Sequence, residues 1–331
     1  MSGTMLNVGL DAAKLTEQRS RVLRGFAKGD RAFSLTTLIA CWTVVIILTG
    51  VMVALFRGAL PAFQAYGWEF FVSQRWSPPK EIFGGLPAIY GTLITSLIAM
   101  AIAMPIGLGI AIFLTETCPM ALRKPIGIAV ELLAGVPSII YGIWGLFIFA
   151  PFLAEHVNPA RVKFFAPIPL LNALFANGSY GTNVLTASLI LSIMIIPFIS
   201  SVSRDVFETV PAVLKEAAYG LGCTTWEVVR KVVIPHTRVG VIGGGMLALG
   251  RALGETMAVT FVIGNAHRIN PSFLDPGTTI SATIANEFTE ADPGLYSSTL
   301  FALGFILFVI TFIVLAAARL MLMRIERRLG N

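Results

Sequence analysis

Charged side chains are scarce in this sequence, at 13% of its 331 residues, against about 25% in an ordinary soluble domain. Hydrophobic residues make up 56%, and the mean hydropathy is +0.80. A water-soluble fold could not hide that much apolar surface, so a soluble domain is excluded. Cysteine is scarce as well. Cys41, Cys118 and Cys223 lie far apart, with no CxxC pair and no histidine at a metal spacing, so neither a disulfide framework nor a zinc site is expected. The histidines, His156, His236 and His267, read as isolated loop residues. No GxxxxGK[ST] segment occurs, so the chain has no phosphate-cradling loop, and no ATP or other cofactor is expected on it.

What the sequence does contain is a series of long apolar runs. A bilayer core needs about 20 consecutive apolar residues per helix. Phe33 to Phe56, Ile89 to Thr115, Val184 to Ser203 and Leu295 to Ala318 meet that length without an Asp, Glu, Lys or Arg. Ile126 to Ala150 qualifies if Glu131 is allowed inside it, and Val239 to Gly264 if Arg251 and Glu255 are. A membrane barrel would instead alternate in segments of about ten residues. The expected fold is therefore all-α: a polytopic membrane protein with six transmembrane helices. The tail before the first run carries mixed charge over about thirty residues, unlike the short leader of a signal peptide, so the first span is expected to remain. The sequence divides into an N-terminal tail over 1–32, a transmembrane domain over 33–320 containing an inner loop at 204–238, and a C-terminal tail over 321–331.

Lysine and arginine set the expected orientation, because short loops rich in them stay in the cytoplasm. With the N-terminus inside, the inner segments hold Lys14 to Arg31, Arg123, Lys124, Arg204 to Arg238 and Arg319 to Arg328. The outer loops hold only Arg57, Arg75, Lys80, Arg161, Lys163 and Arg268, and the last of these loops is acidic through Asp275, Glu287, Glu290 and Asp292. Both termini are expected in the cytoplasm. The net charge of +6 is then a topology signal, and no nucleic-acid partner is expected. The loop from Arg57 to Leu86 is rich in Trp68, Phe70, Phe71 and Trp76, followed by proline and glycine, and reads as an interfacial aromatic belt with turns. The stretch from Pro151 to Gly181 has room for a short helix. Gly243, Gly244 and Gly245 fall inside the fifth run, where small residues let helices approach closely.

The inner loop between the fourth and fifth runs carries the most information. Thr209 and Pro211 suit a helix start, and Val213, Leu214, Ala217, Ala218 and Leu221 form one apolar face that Gly222 should end. Thr224 and Glu227 are spaced as a capping box for a second helix, expected to stop at Pro235. Helices this short are unstable alone in water, so the apolar face implies docking, either into a partner's groove or onto the chain's own helices.

In this loop Glu216, Ala217 and Ala218, then Gly222, then Val232, Ile234 and Pro235 resemble the EAA signature of ABC importer permeases, with Val232 in place of the usual isoleucine. The resemblance implies that these residues couple the permease to cytoplasmic ATPase subunits. Two further segments resemble the phosphate-transport branch: Ala134 to Gly142, and Gly250 to Val259 with Met257. Met257 and the long first outer loop resemble the PstC type more than the PstA type. That likeness implies a non-catalytic permease subunit of type I architecture in the bacterial inner membrane. Its implied partners are a second permease of the PstA type in a heterodimer and an extracytoplasmic phosphate-binding protein, with inorganic phosphate as the substrate moved inward.

The residues of the fifth run agree independently. An arginine at a helix centre costs about 2.5–3.5 kcal/mol on insertion scales, so it normally faces the protein interior. The Arg251 guanidinium presents a planar fork that matches phosphate oxygens and stays charged at any working pH. Glu255, four residues on, would share its helix face and could hold the fork or accept a proton, and Thr256 follows it. The bland alternative is a structural ion pair. Arg251, Glu255 and Thr256 are the candidate translocation residues. Two competing functions remain: an ABC permease for sulfate, molybdate or phosphonate, and an ion-coupled secondary transporter. The second leaves the EAA loop unexplained.

Overall fold

The computed structural model describes residues 3–165, 167, 169–175 and 181–329. The side chains of Lys14 to Lys28 and of Arg31, Lys163, Arg327 and Arg328, on which part of the orientation argument rests, lie outside the described residues. Two compact units make up the chain, Met1–Ala54 and Leu55–Asn331.

Helix α1, Gly3–Tyr66, fills the described part of the first unit and continues into the second. Every described side chain from Ala32 to Ala54 is exposed, including Phe33, Trp42 and Ile46. A helix apolar on all sides suits lipid rather than water. Its hydroxyls are satisfied from within: Thr36, Thr43 and Thr49 each donate to the carbonyl four residues back at 2.7–2.8 Å, as a medium without water requires.

The second unit is a helical bundle. After α2, Glu69–Val72, a hairpin of β1, Trp76–Ser77, and β2, Ile82–Phe83, leads into α3, Leu86–Ile112. The chain continues through α4, Met120–Ala134, α5, Ser138–Trp144, α6, Ala150–Phe152, α7, Asn158–Phe165, and α8, Pro169–Leu174. Then come α9, Val184–Glu208, α10, Ala212–Gly220, α11, Thr225–Val228, α12, Ile234–Leu253, α13, Met257–Val262, α14, Ile280–Glu287, and α15, Leu295–Leu329. Among the described residues six helical stretches are long and apolar enough to span a bilayer, as expected.

Two of the six are displaced from their sequence positions. The third run was placed at Ile126–Ala150, but the helix breaks at Gly135–Pro137 and the spanning stretch is Ser138–Val157. Proline at 137 disfavours helical geometry in Val136, so the run cannot continue. The fifth run was placed at Val239–Gly264, but the spanning stretch is Thr225–Leu253. Pro235 does not stop it. The π-turn at Val229–Val233 absorbs the lost register, and Pro235 sits in the first turn of α12, where its missing amide hydrogen is tolerated. The second of the two short loop helices is thus the start of the fifth long one.

At the centre α3, α9 and α12 pack on small residues. Ala99, Ala103, Gly107 and Ala111 form a buried stripe on α3, and a Cβ at Gly107 would lie 2.7 Å from Ile199 Cγ2. The fifth-span glycines act as expected: a Cβ at Gly244 would meet Val202 Cγ1 at 2.7 Å, and one at Gly245 would meet Met104 Cε at 3.1 Å. The aromatic-rich loop after the first span differs from a lipid-facing belt. Phe70 and Phe83 are fully enclosed, within a cluster that includes Phe63, Tyr66, Trp76 and Tyr296. Trp68 alone of the predicted belt residues is fully open, at 79% exposure.

Candidate functional site

The candidate translocation residues lie at a helix interruption. α12 ends at Leu253, Gly254 turns the chain out of the helix, and α13 resumes at Met257. Arg251 is therefore in the last turn of α12 instead of mid-helix, where its charge complements the negative end of the helix dipole. It is exposed and has no hydrogen-bond or ion-pair partner among the described residues. Leu247 and Gly254, one turn before and one after, are open on the same side.

Glu255 is not on a continued helix face with Arg251, and the two form no ion pair. Its Oε1 accepts instead from Ala258 N at 3.2 Å, capping the first turn of α13. Thr256 Oγ1 donates to Gly254 O at 3.3 Å, across the interruption. The spacing rule failed because it assumed that the helix continues through Gly254.

The second interruption, Gly135–Pro137, lies in the other signature segment. Tyr141 OH donates to Leu133 O at 3.0 Å, so the hydroxyl spans the gap between α4 and α5. The helices beyond the two breaks pack backbone to backbone. A Cβ on Gly142 would lie 2.7 Å from Phe261 Cδ2 and 3.2 Å from Met257 O. Two segments more than 100 residues apart in the chain are thus brought to one place. Interrupted helices meeting in a membrane bundle free backbone groups where a polar solute can be bound.

Glu131 has a structural partner, Arg204 Nη2. A Cβ on Gly127 would lie 2.7 Å from Arg204 Nη1, so glycine makes room for that guanidinium against α4.

The segment that carries the EAA-like residues keeps most of its expected form. Gly222 has φ +82°, and Gly222 N donates to Tyr219 O at 2.9 Å while Cys223 N donates to Ala218 O at 3.2 Å. That pair of bonds ends α10 in a Schellman turn. Thr224 and Glu227 form the expected capping box. Val213, Leu214 and Leu221 are open, with Leu221 85% exposed. Ala218, Cys223 and Val232 face a cluster around Phe207 and Val233. Glu216, Ala217, Ile234 and Pro235 are exposed.

Sequence reasoning missed one polar cluster. Glu287 accepts from Trp76 Nε1 at 2.8 Å and Tyr296 OH at 2.7 Å, and lies 2.9 Å from His267 Nε2. His267 stacks on Trp76 at 4.6 Å and is no isolated loop residue. Burial pushes the Glu287 carboxyl up, but the hydrogen bonds from His267, Tyr296 and Trp76 and the His267 charge outweigh it, leaving the group below the ordinary carboxylate range.

Comparison with known proteins places this architecture. Residues 119–327 match the family described as binding-protein-dependent transport system inner membrane component. The chain belongs to that family of transporter permeases. The permease is 62% identical over 312 residues, 94% of its length and 95% of the relative's, to the phosphate transport system permease protein PstC of Mesorhizobium japonicum. It is 53% identical to the protein of the same name from Pasteurella multocida, covering 90% of this chain and 93% of that one. A bacterial ABC transporter involved in alginate import shares the permease's fold at TM-score 0.56 and 18% identity, over 86% of this chain and 96% of that one. The MetNI methionine transporter in an inward-facing form gives 0.52 and 16%, over 72% and 94%.

Proposed function

We propose that this permease is the membrane-embedded subunit of an ATP-driven importer, that it moves inorganic phosphate inward, and that it catalyses no reaction itself. The observation that carries the reading is the Arg251 guanidinium, without a partner among the described residues, at a helix interruption in a chain 62% identical to a phosphate transport permease. A cation left without a counter-ion in an apolar helix is costly, and a passing anion supplies the missing charge. In this reading the open face of Leu247, Arg251 and Gly254 lines a path completed by a second permease of the PstA type. Arg251 engages the phosphate oxygens. Glu255 and Thr256 hold the interruption that presents it, through the Ala258 cap and the Gly254 bond.

ATP is bound and hydrolysed on separate cytoplasmic subunits. The open side of α10, with Val213, Leu214 and Leu221 beside Glu216, Ala217 and Gly222, supports docking there. Ala218, on the packed side, and Val232, Ile234 and Pro235 join that contact to the bundle and the fifth span. An extracytoplasmic binding protein delivers phosphate, and both termini lie in the cytoplasm. The test is uptake into vesicles holding this chain, the second permease and the ATPase. Phosphate should accumulate only with ATP and loaded binding protein, and excess sulfate should not compete. Accumulation without ATP would favour an ion-coupled transporter, and competition by sulfate would favour another oxyanion.

A further inference from the structure

The docking helix α10 is tied to the membrane bundle by a partly buried charge pair. Lys215 Nζ lies 2.5 Å from Glu116 Oε1, with side-chain exposures of 19% and 5%. Taking two ions out of water is expensive unless each satisfies the other, so an enclosed pair holds its geometry as an exposed one does not. Glu116 belongs to the π-turn Phe113–Thr117 that closes α3, and Arg123 Nη2 donates to Thr115 O in the same turn at 2.6 Å. Ala218, one turn beyond Lys215, packs in the apolar cluster that also holds Ile112, the last residue of α3. The pair and this packing join α10 to the end of α3.

The opposite end of α3 is joined to the loop that follows α13. A Cβ on Gly91 would lie 1.8 Å from Thr278 O, and Thr92 Oγ1 accepts from Ile280 N at 2.9 Å. Between these two attachments Leu86–Thr117 is one uninterrupted helical stretch of 32 residues. At ~1.5 Å per residue it spans roughly 48 Å, enough to cross the bilayer. Where it passes α9 it presents the buried stripe of Ala99, Ala103, Gly107 and Ala111, and Ile199 of α9 seats against Gly107.

We propose that Glu116 and Lys215 are positioning residues through which α10 and α3 move as one body. Displacement of the docking helix then passes along α3 to the Thr278–Ile280 loop, in the same stretch of chain as the Arg251 interruption. This inference rests on the reading that the ATPase docks on α10. Neither residue touches phosphate or ATP. Their contribution is to the response of one site to the other.

The experiment uses the complete complex in vesicles and reads three quantities: ATPase retained, hydrolysis without binding protein, and hydrolysis with phosphate-loaded binding protein. In Glu116→Gln the ATPase should be retained and unstimulated hydrolysis should stay within about twofold, while stimulation by the binding protein falls about tenfold. Exchanging the charges, Glu116→Lys with Lys215→Glu, should restore at least half of the stimulation. Full stimulation in Glu116→Gln would overturn the proposal, and so would a failure of the exchanged pair to recover. Loss of ATPase and of unstimulated hydrolysis together would make the pair a mere folding clamp. Leu221→Glu on the open face of α10 serves as the separate check: if the ATPase remains fully bound there, the docking reading fails, whatever the charge pair does.

Discussion

At Glu287 three donors from separate elements converge on one carboxylate: the distant β1 tryptophan, a histidine after α13 and a tyrosine in the first turn of α15. Glu287→Ala leaves those donors unmatched in a half-buried site, which costs about 1–3 kcal/mol, read as a lower unfolding midpoint of the purified complex. The folded carboxyl lies below its ordinary value, so its contribution is fully present above the unfolded pKa. It is lost only as pH falls through the depressed folded value. The fluorescence of Trp76, isolated by difference against Trp76→Phe, should therefore hold steady through the ordinary carboxylate range and change only in stronger acid. Nothing in the sequence announced this cluster. Trp76 and Glu287 stand 211 residues apart, and no spacing rule connects a tryptophan in one loop with an acid at the end of a helix in another. Arg251 stands out in the sequence because a cation within an apolar run is unusual whatever surrounds it. Its supposed partner Glu255 was misread, since four-residue spacing places two side chains together only if the helix between them is unbroken.

Helix termination separates what could be read at the level of elements from what could not. Gly222 and the Thr224–Glu227 box are local signals whose chemistry acts within a few residues, and both operate as the sequence implies. Pro235 is also local, but its effect depends on the backbone before it. The π-turn over Val229–Val233 lets the helix run through. The breaks at Gly135–Pro137 and Gly254–Thr256 lie within apolar runs, and hydropathy does not register them. Gly222→Val forces a branched residue to φ near +82°, a strain of about 1–2 kcal/mol for a non-glycine residue. Membrane insertion should survive, while ATP hydrolysis by the complex should stop responding to the binding protein. Unaltered coupling in that variant would remove the turn from the docking surface. Gly91→Val should be more damaging, because a Cβ 1.8 Å from the Thr278 carbonyl can be accommodated only by separating α3 from that loop. Its complex should be recovered in low yield.

For the whole molecule, the six-helix architecture followed from run length and scarcity of charge, since the bilayer imposes that length on any spanning helix. Orientation rests on the distribution of lysine and arginine. Reporters fused after Asn331 and within 204–238 should report cytoplasm, and one near Asp275 should report the outside. An external signal from the C-terminal fusion would overturn the topology. The assembled bundle brings the two signature segments, Ala134–Gly142 and Gly250–Val259, into contact through Gly142 and Met257, which no one-dimensional pattern displays. That junction and Arg251, which precedes Met257 by six residues and has no partner among the described residues, are the centre of the proposed mechanism. Its most direct test is phosphate uptake by vesicles carrying Arg251→Ala and Arg251→Lys, each compared at equal yield of ATPase-bound complex. Removal of the cation should abolish uptake, and lysine, which keeps the charge but loses the planar fork, should restore little of it. Normal uptake by Arg251→Ala at normal yield would contradict the account.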